Sequence, residues 1–303
     1  MTALRSFVHR HALGLCLALA AVPALPAQAA VAVPPRSAGA LRVMSFNVRW
    51  PAPDDGLNTW PQRQPVFLAT IRAADPDVIG TQELFKRQGD AVVRHLPHWR
   101  WFGPDRFGGH ANEHMGILYR TDRLALIRHG VFWLSPTPAV PGSLGWGATL
   151  PRMVQWAVLE RRLGARTRFL MIDTHLANRD VEDETARVES ARLIAARLPA
   201  LAGRLPVVLT ADLNATAGSA AYATLTAHLA DSRAQAAAPL GPEPTFHDFT
   251  GTGQQRIDFI LERGWQVRAY ATLTTHAGPR WPSDHFPILA DLVPSKGEST
   301  PQP

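Results

Sequence analysis

The sequence predicts an α+β protein, a four-layer α/β/β/α sandwich in which two mixed β-sheets pack face to face with helices outside. Short apolar runs rich in Val, Ile, Leu and aromatic residues recur along the chain, as strands require. These runs outnumber the segments with helical periodicity, and several follow one another without a helical crossover. That order argues against a regular parallel barrel, and two stacked sheets would bury the apolar faces of all the strands.

The strands are predicted from apolar runs that end in polar or turn-forming residues. The runs lie at 41–50, 77–83, 115–120, 153–160, 168–176, 205–215, 255–262 and 285–292. Helical periodicity appears at 61–74, which is bounded by Pro76, and at 181–203, which Gly203 closes. A third helix is predicted at 219–229.

The N-terminus resembles a secretory signal. A basic start precedes an apolar run at 12–25, and the small-x-small triplet Ala27-Gln28-Ala29 follows. A transmembrane anchor fits less well because the run is short and contains Pro23. We therefore predict a signal peptide at 1–29 and a secreted or periplasmic protein with no stable membrane insertion after cleavage.

The remaining chain is predicted to hold one domain. Residues 30–40 form a Pro/Ala-rich linker, 41–292 the domain, and 293–303 a polar tail that we expect to be disordered. Neither a repeat nor a second composition break divides the domain, and we expect a monomer.

Composition limits the chemistry. The single cysteine, Cys16, lies in the signal segment, so disulfides and thiolate metal sites are excluded from the mature chain. The formal net charge is +6 and the excess is arginine. This suits a phosphate-bearing substrate, but an arginine-rich proteome would give the same balance, and no long basic cluster marks a nucleic-acid surface.

Polar residues collect at the ends of the predicted strands. Asp and Asn at such positions usually form turns or caps, and a lone histidine is usually a hydrogen-bonded part of the fold. In an extended segment, however, Asp212 and Asn214 would share a face, as would Asp173 and His175. A polar pair on a packed face costs free energy unless it is bonded or coordinated. The oxygen and imidazole donors suit Mg²⁺ or Mn²⁺ together with a phosphate.

The chain resembles the endonuclease/exonuclease/phosphatase family, which includes DNase I-like nucleases, 5-phosphatases and sphingomyelinases. The motifs that carry the resemblance occur in the family's order over 41–292: "MSFNVRW", "GTQE", "DTHL", "ADLNA", "RIDFIL" and "SDHFPI". The likeness extends to exported bacterial members of unassigned substrate.

The resemblance implies a role for each matching residue. Glu83 is expected as the principal metal ligand, with Asn47 beside it and Asp284 near the metal. The catalytic residues implied are His175 as a donor to phosphate oxygen, Asp212 as the group that orients or deprotonates water, Asn214 as a phosphate contact, and Asp258 with His285 as a carboxylate–imidazole pair.

Three further residues are candidates for substrate binding. Arg49 stands where some family members carry an acid that supports a second metal, so we expect one tightly bound Mg²⁺ or Mn²⁺. Arg49 could contact a substrate phosphate or pair with Asp54 or Asp55. Arg152 and His114, the latter in the Gly-rich loop 103–116, could also face the substrate.

The predicted function is a secreted metal-dependent phosphoesterase. The leading hypothesis is a phosphodiesterase or nuclease, whose substrate is a phosphoester and could be nucleic acid. The alternatives are a phospholipid phosphodiesterase of the sphingomyelinase kind and an inactive binding module, which would be expected to have lost ligands that this chain retains.

Overall fold

The computed structural model describes residues 33–164 and 166–295. The predicted signal peptide, residues 30–32 of the predicted linker and residues 296–303 of the predicted tail lie outside these ranges. Within the described ranges, no helix has the length and apolar character needed to cross a membrane.

The first sheet brings the two ends of the domain together. Its strand order is β11-β12-β1-β2-β4-β3. The strands are β1 (Leu41–Asn47), β2 (Val78–Gln82), β3 (Trp99–Phe102), β4 (Ile117–Arg120), β11 (Trp265–Thr272) and β12 (Ile288–Pro294). β1 runs parallel to β2 and antiparallel to β12, so the last strand of the chain lies inside the sheet beside the first.

The second sheet is formed by the middle of the chain. Its order is β5-β6-β7-β8-β10-β9, and only β7 and β8 pair in parallel. The strands are β5 (Leu124–Trp133), β6 (Met153–Arg161), β7 (Arg168–His175), β8 (Val207–Asp212), β9 (Ala230–Asp231) and β10 (Asp258–Arg263).

Three apolar clusters separate the four layers. One lies between the two sheets and includes Val43, Phe169 and Ile260. The others pack the outer faces of the sheets against helices, as Phe67 does on the first sheet and Ile194 on the second. The helices are α1 (Trp60–Ala74), α2 (Lys86–His95), α3 (Glu184–Ala202), α4 (Ala220–Thr226) and α5 (Ser232–Gln235). The predicted four-layer sandwich is confirmed.

All of the predicted strands are present, but the prediction missed the strands β3, β5, β9 and β11 and the helices α2 and α5. All four missed strands are edge strands, and β5 and β11 carry exposed polar residues that interrupt the apolar runs. α2 contains Gly89, which usually weakens a helix. Here the Trp101 ring packs against Gly89 so closely that a Cβ would meet it at 2.7 Å.

Both ends of the described chain are anchored to the sandwich. Arg36, in the predicted linker, donates from Nη1 to Asp77 Oδ2 at 2.9 Å, and the Ser37 N–H donates to Asp291 Oδ2 at 2.7 Å. β12 continues to Pro294, two residues beyond the predicted end of the domain at 292.

Candidate functional site

Strand pairing explains why residues far apart in sequence meet. In the second sheet Asp258 of β10 lies opposite Asp212 of β8, and Asp212 is also in register with His175 of the parallel strand β7. In the first sheet Asn47 ends β1. These strand ends lie at the same mouth of the sandwich, so both sheets contribute to one cluster.

Asp212 is the centre of this cluster. Its Oδ2 accepts a hydrogen bond from Asn47 Nδ2 at 2.9 Å and lies 3.5 Å from His175 Nε2 and 3.9 Å from His285 Nε2. The side chain is 1% exposed. Burial, reinforced by the nearby Asp258 carboxylate, raises the pKa of Asp212 to about 7.

Asn47 and Glu83 connect the first sheet to Asp212. Asn47 Nδ2 also donates to Glu83 Oε1 at 3.1 Å, and the Trp50 N–H donates to Glu83 Oε2 at 2.9 Å. Burial alone would raise the pKa of Glu83, but the Trp50 N–H, His285 and Asn47 outweigh it and lower the pKa, which keeps the carboxylate charged.

Three site residues adopt the left-handed backbone conformation that is uncommon for residues with a side chain. The φ angles are 53° at Arg49, 59° at Glu83 and 47° at Asn214. Asn214 follows β8 in a turn where its N–H donates to Asp212 Oδ1 at 2.9 Å. The expectation that Asp212 and Asn214 share the face of an extended strand is therefore wrong, because β8 ends at Asp212 and the turn delivers Asn214.

Asp258 and His285 form the predicted carboxylate–imidazole pair. His285 Nδ1 lies 2.8 Å from Asp258 Oδ2, and both side chains are buried. Burial alone would lower the pKa of His285, but the hydrogen-bonded Asp258 carboxylate, with Asp284 and Asp212 nearby, raises it well above its usual value. This rise favours the protonated imidazole, which presents Nε2 toward Asp212.

His175 is held in the opposite charge state. Asn214 Nδ2 lies 2.8 Å from His175 Nε2 and also donates to Leu176 O at 3.1 Å. Burial, together with the charges of Arg152 and Arg106, lowers the pKa of His175 well below its usual value, so the ring is neutral. Asp173, two residues earlier on the same strand, belongs instead to a buried network with Gln82 and Thr210, each 2.7 Å away.

Asp284 and Arg49 lie next to each other on the first-sheet side of the cluster. Arg49 Nη1 is 3.5 Å from Asp284 Oδ2, and Arg49 bonds Asp55 through Nη2 and Nε at 2.8 and 3.2 Å. The predicted pairing of Arg49 with Asp55 is present, and its contact with a substrate phosphate stays a prediction. Burial raises the pKa of Asp284, and the charge of Glu83 contributes to that rise.

The sequence reasoning missed Arg63, which ties together the segments that carry the site. This arginine is fully buried in α1. Its Nη1 donates to Val48 O at 2.8 Å and Pro282 O at 2.7 Å, and its Nη2 donates to Arg49 O at 2.6 Å. Its guanidinium also lies 5.2 Å from the Trp60 ring centroid. The only sequence signal was an arginine on the apolar face of a predicted helix.

Arg106, which the sequence placed only within the Gly-rich loop 103–116, lies on the other side of the cluster near Arg152. Both side chains are buried, at 2% and 4% exposure, and Arg106 pairs with Glu113. Arg152 Nη2 donates to Asn178 Oδ1 at 3.0 Å. Burial and the neighbouring charge of Arg152 lower the pKa of Arg106 to about 9.

His114 is the predicted substrate-binding residue that the structure does not bring to the site surface. It is fully buried beneath its loop, and its Nδ1 lies 2.9 Å from Leu84 O. Its Nε2 lies 3.1 Å from Nδ1 of the exposed His110. A direct contact between His114 and substrate is therefore not supported, because the ring is engaged by Leu84 O, next to Glu83, and by His110.

The donor set suits a divalent cation. Among the described residues, ligand atoms of Asp212, Asp258 and His285 lie within 4.8 Å of one another. However, a cationic imidazole cannot act as a ligand. The carboxylates of Glu83 and Asp284, with the Asn47 amide beside them, are the oxygen ligands that a hard cation prefers. Two buried acids that repel each other are stabilised by such an ion.

Comparison with known proteins agrees with this geometry. The model of the "Endonuclease/Exonuclease/phosphatase family" matches residues 44–285. An endonuclease/exonuclease/phosphatase family protein of Bacteroides thetaiotaomicron is 33% identical, with 84% of this chain and 98% of that chain covered and a TM-score of 0.79. A mannosyl-6-phosphatase of the same species is 34% identical, with 84% and 99% covered and a TM-score of 0.77.

A more distant solved structure shares the fold alone. The human Nocturnin catalytic domain is 18% identical, with a TM-score of 0.67 over 84% of this chain and 94% of that chain. No protein of curated function matches the sequence significantly.

The two mixed sheets and the acid–amide–imidazole cluster at their mouth define a phosphoesterase of the DNase I-like class. The chain belongs to the endonuclease/exonuclease/phosphatase family. Its assignment to a family of hydrolases rests on both the sequence match and the fold.

Proposed function

We propose that the protein is a Mg²⁺- or Mn²⁺-dependent phosphoester hydrolase in which Asp212 orients and deprotonates the attacking water. The convergence of Asn47, His175 and His285 on Asp212 Oδ2 carries this proposal. A buried carboxylate with a pKa of about 7 is well matched to accept a proton near neutral pH.

The residues around Asp212 divide the remaining tasks. Glu83 and Asp284, with Asn47, would hold the cation, which when bound neutralises phosphate charge and lowers the pKa of water. His285, kept cationic by Asp258, donates from Nε2 to an oxygen on which negative charge develops.

His175 supplies a neutral donor at the same place, and Asn214 holds its ring in position. Asn214 is fixed by its backbone bond to Asp212 and its amide contact with His175, so neither side chain has to reorganise during the reaction. The pair is therefore suited to orient the phosphate oxygens rather than to transfer a proton.

The test is hydrolysis of p-nitrophenyl phosphate and bis-p-nitrophenyl phosphate by the mature protein with Mg²⁺, with Mn²⁺ and with EDTA. We expect turnover that EDTA abolishes and that Glu83→Gln reduces by at least about 10²-fold. Glu182→Gln, at an exposed position, is the matched control and should retain activity. If the metal-loaded protein hydrolyses neither ester, the proposal fails.

A phospholipid substrate is a second candidate, and exposed apolar side chains that could contact a membrane support it. Phe107, Val140 and Leu144 are 52%, 51% and 54% exposed, and Phe107 packs near Gly142. Such a patch suits a lipid surface. The test is a panel of substrates assayed side by side: sphingomyelin liposomes, the soluble esters, and single-stranded DNA and RNA for the nuclease hypothesis. The substrate that is hydrolysed distinguishes these hypotheses.

We also propose that the protein is exported and that it is a monomer. Export is supported by the basic start and apolar run of the N-terminal segment. N-terminal sequencing of the protein recovered from the periplasm or medium tests cleavage after Ala29, and light scattering tests the oligomeric state.

A further inference from the structure

A group of buried hydrogen-bond donors next to Asp212 has no acceptor among the described residues. It comprises His175 Nδ1, Arg106 Nε, and both Nε and Nη1 of Arg152. Buried polar atoms in folded proteins are nearly always paired, because an unpaired donor costs about 1–3 kcal/mol. Donors that lack acceptors at an enzyme site point to a ligand that brings oxygen atoms.

The backbone around β5 holds the two arginines beside each other. Trp133 Nε1 donates to Arg106 O at 2.7 Å, and the next residue, Leu134, donates its N–H to Arg152 O at 2.7 Å. Arg152 also reaches Asn178, three residues beyond His175. Arg106, Arg152 and His175 therefore line one side of the cluster.

The charge of Arg152 is not balanced by a direct partner. Arg106 pairs with Glu113, but within the described ranges no carboxylate lies at salt-bridge distance from Arg152. Burial lowers the pKa of Arg152, and the charges of Asp212, Glu83 and Asp183 stabilise its guanidinium at longer range. A buried cation of this kind is strongly stabilised by an anion that contacts it directly.

The loop that carries Arg106 is held by hydrogen bonds to Asp105. Asp105 Oδ1 accepts from the Phe107 and Gly109 N–H groups at 2.8 and 2.9 Å, and its Oδ2 accepts from the Asn112 N–H at 2.8 Å. This loop fixes Arg106 beneath it, where Trp133 is only 4% exposed.

We propose that Arg152 and Arg106 form an anion subsite that takes the terminal oxygens of a phosphomonoester, so that the enzyme is a phosphatase. The inference rests on the proposed function and replaces the phosphodiester expected from sequence. A monoester carries a charge of about −2 at neutral pH and offers three terminal oxygens. A diester carries −1 and needs room for a second organic group on one of them.

The first experiment measures binding with the wild-type protein in Mg²⁺. Inorganic phosphate should raise the melting temperature, whereas dimethyl phosphate, a diester monoanion, should leave it unchanged. An equal shift for both anions, or no shift with phosphate, overturns the inference. This arm does not depend on whether arginine variants fold.

The second experiment compares variants on two substrates with the same leaving group. Arg152→Gln and Arg106→Gln should lower kcat/KM for p-nitrophenyl phosphate by about 10²-fold but for bis-p-nitrophenyl phosphate by less than about threefold. Arg152→Lys should recover part of the monoester activity. Arg192→Gln, at an exposed arginine in α3, should change neither.

The outcomes of this comparison are distinct. Equal losses on both esters in folded variants, or a wild-type preference for the diester, overturn the monoester subsite and leave the proposed function standing. A wild-type protein that hydrolyses neither ester with Mg²⁺ removes the proposed function itself.

Discussion

Replacing the buried Arg63 by methionine tests whether one side chain holds the site-bearing segments together. Methionine keeps much of the volume and apolar length but removes the donors to Val48, Arg49 and Pro282. Gln88 Nε2 donates to Arg49 O at 2.8 Å and reaches Val48 O at 3.4 Å, so these two carbonyls keep a partner. The loss therefore falls mainly on Pro282 O.

The magnitude follows from these contacts. A hydrogen bond to a charged group contributes about 1.5–3 kcal/mol, and a buried carbonyl left without a donor costs about 1–3 kcal/mol. With two of the three carbonyls still bonded, we expect Arg63→Met to lower the free energy of unfolding by about 3 kcal/mol. In a domain of this size, that corresponds to a fall of about 6–12 °C in melting temperature.

Activity should fall beyond the loss of stability, because Pro282 precedes the turn that carries Asp284 and His285. We expect kcat to drop by about 10²-fold at a temperature where the variant is folded. Urea unfolding gives the stability, and steady-state kinetics on p-nitrophenyl phosphate gives kcat. Arg192→Met, at a 63% exposed side chain, is the control and should cost less than about 0.5 kcal/mol. A loss below about 1 kcal/mol for Arg63→Met, with kcat intact, would refute the reasoning.

Three further substitutions probe the inter-sheet network and the imidazole. Gly80→Ala should destabilise the fold by at least about 2 kcal/mol in urea unfolding, since the added Cβ would clash with Thr210 Oγ1 and Asp173 Oδ1; a change below about 0.5 kcal/mol contradicts the packing. Asp173→Asn should raise the melting temperature more at pH 8 than at pH 4. Burial raises the pKa of Asp173 well above its usual value. The unfolded chain loses this proton near the usual carboxyl pKa while the folded protein keeps it, so the destabilisation that Asp173 causes grows as the pH rises above that usual pKa. A gain in melting temperature that does not depend on pH would contradict this account. Asp258→Asn should lower kcat by at least about 10²-fold and should lower the pKa of His285 measured by NMR. An unchanged pKa would show that the Asp258 carboxylate is not what raises the pKa of His285.

Much of the fold could be predicted because its central strands are continuous apolar runs. β1, β7 and β8 are fully or almost fully buried along their length, and burial on both faces leaves a plain signal in composition. Edge strands such as β5 are half exposed, so their sequence carries mixed polar and apolar residues that periodicity alone does not resolve.

The candidate site was predictable where its residues lie at or next to the ends of predicted strands. Asp212, Asp258 and His285 could be placed by motif, and register then brings them together. Arg63 and Arg106 could not, because their function depends on which carbonyls and acids surround them after folding. His114 was misplaced for a related reason, since the sequence of a Gly-rich loop does not tell which of its side chains turns inward.

The position of β12 has a consequence for how the protein is made. The strand lies in the interior of the first sheet between β11 and β1, and His285 stands three residues before its first residue, Ile288. A chain emerging from the ribosome therefore cannot complete that sheet until the segment from β11 to β12 has been synthesised. A chain that stops before this segment would lack both the closed sheet and His285.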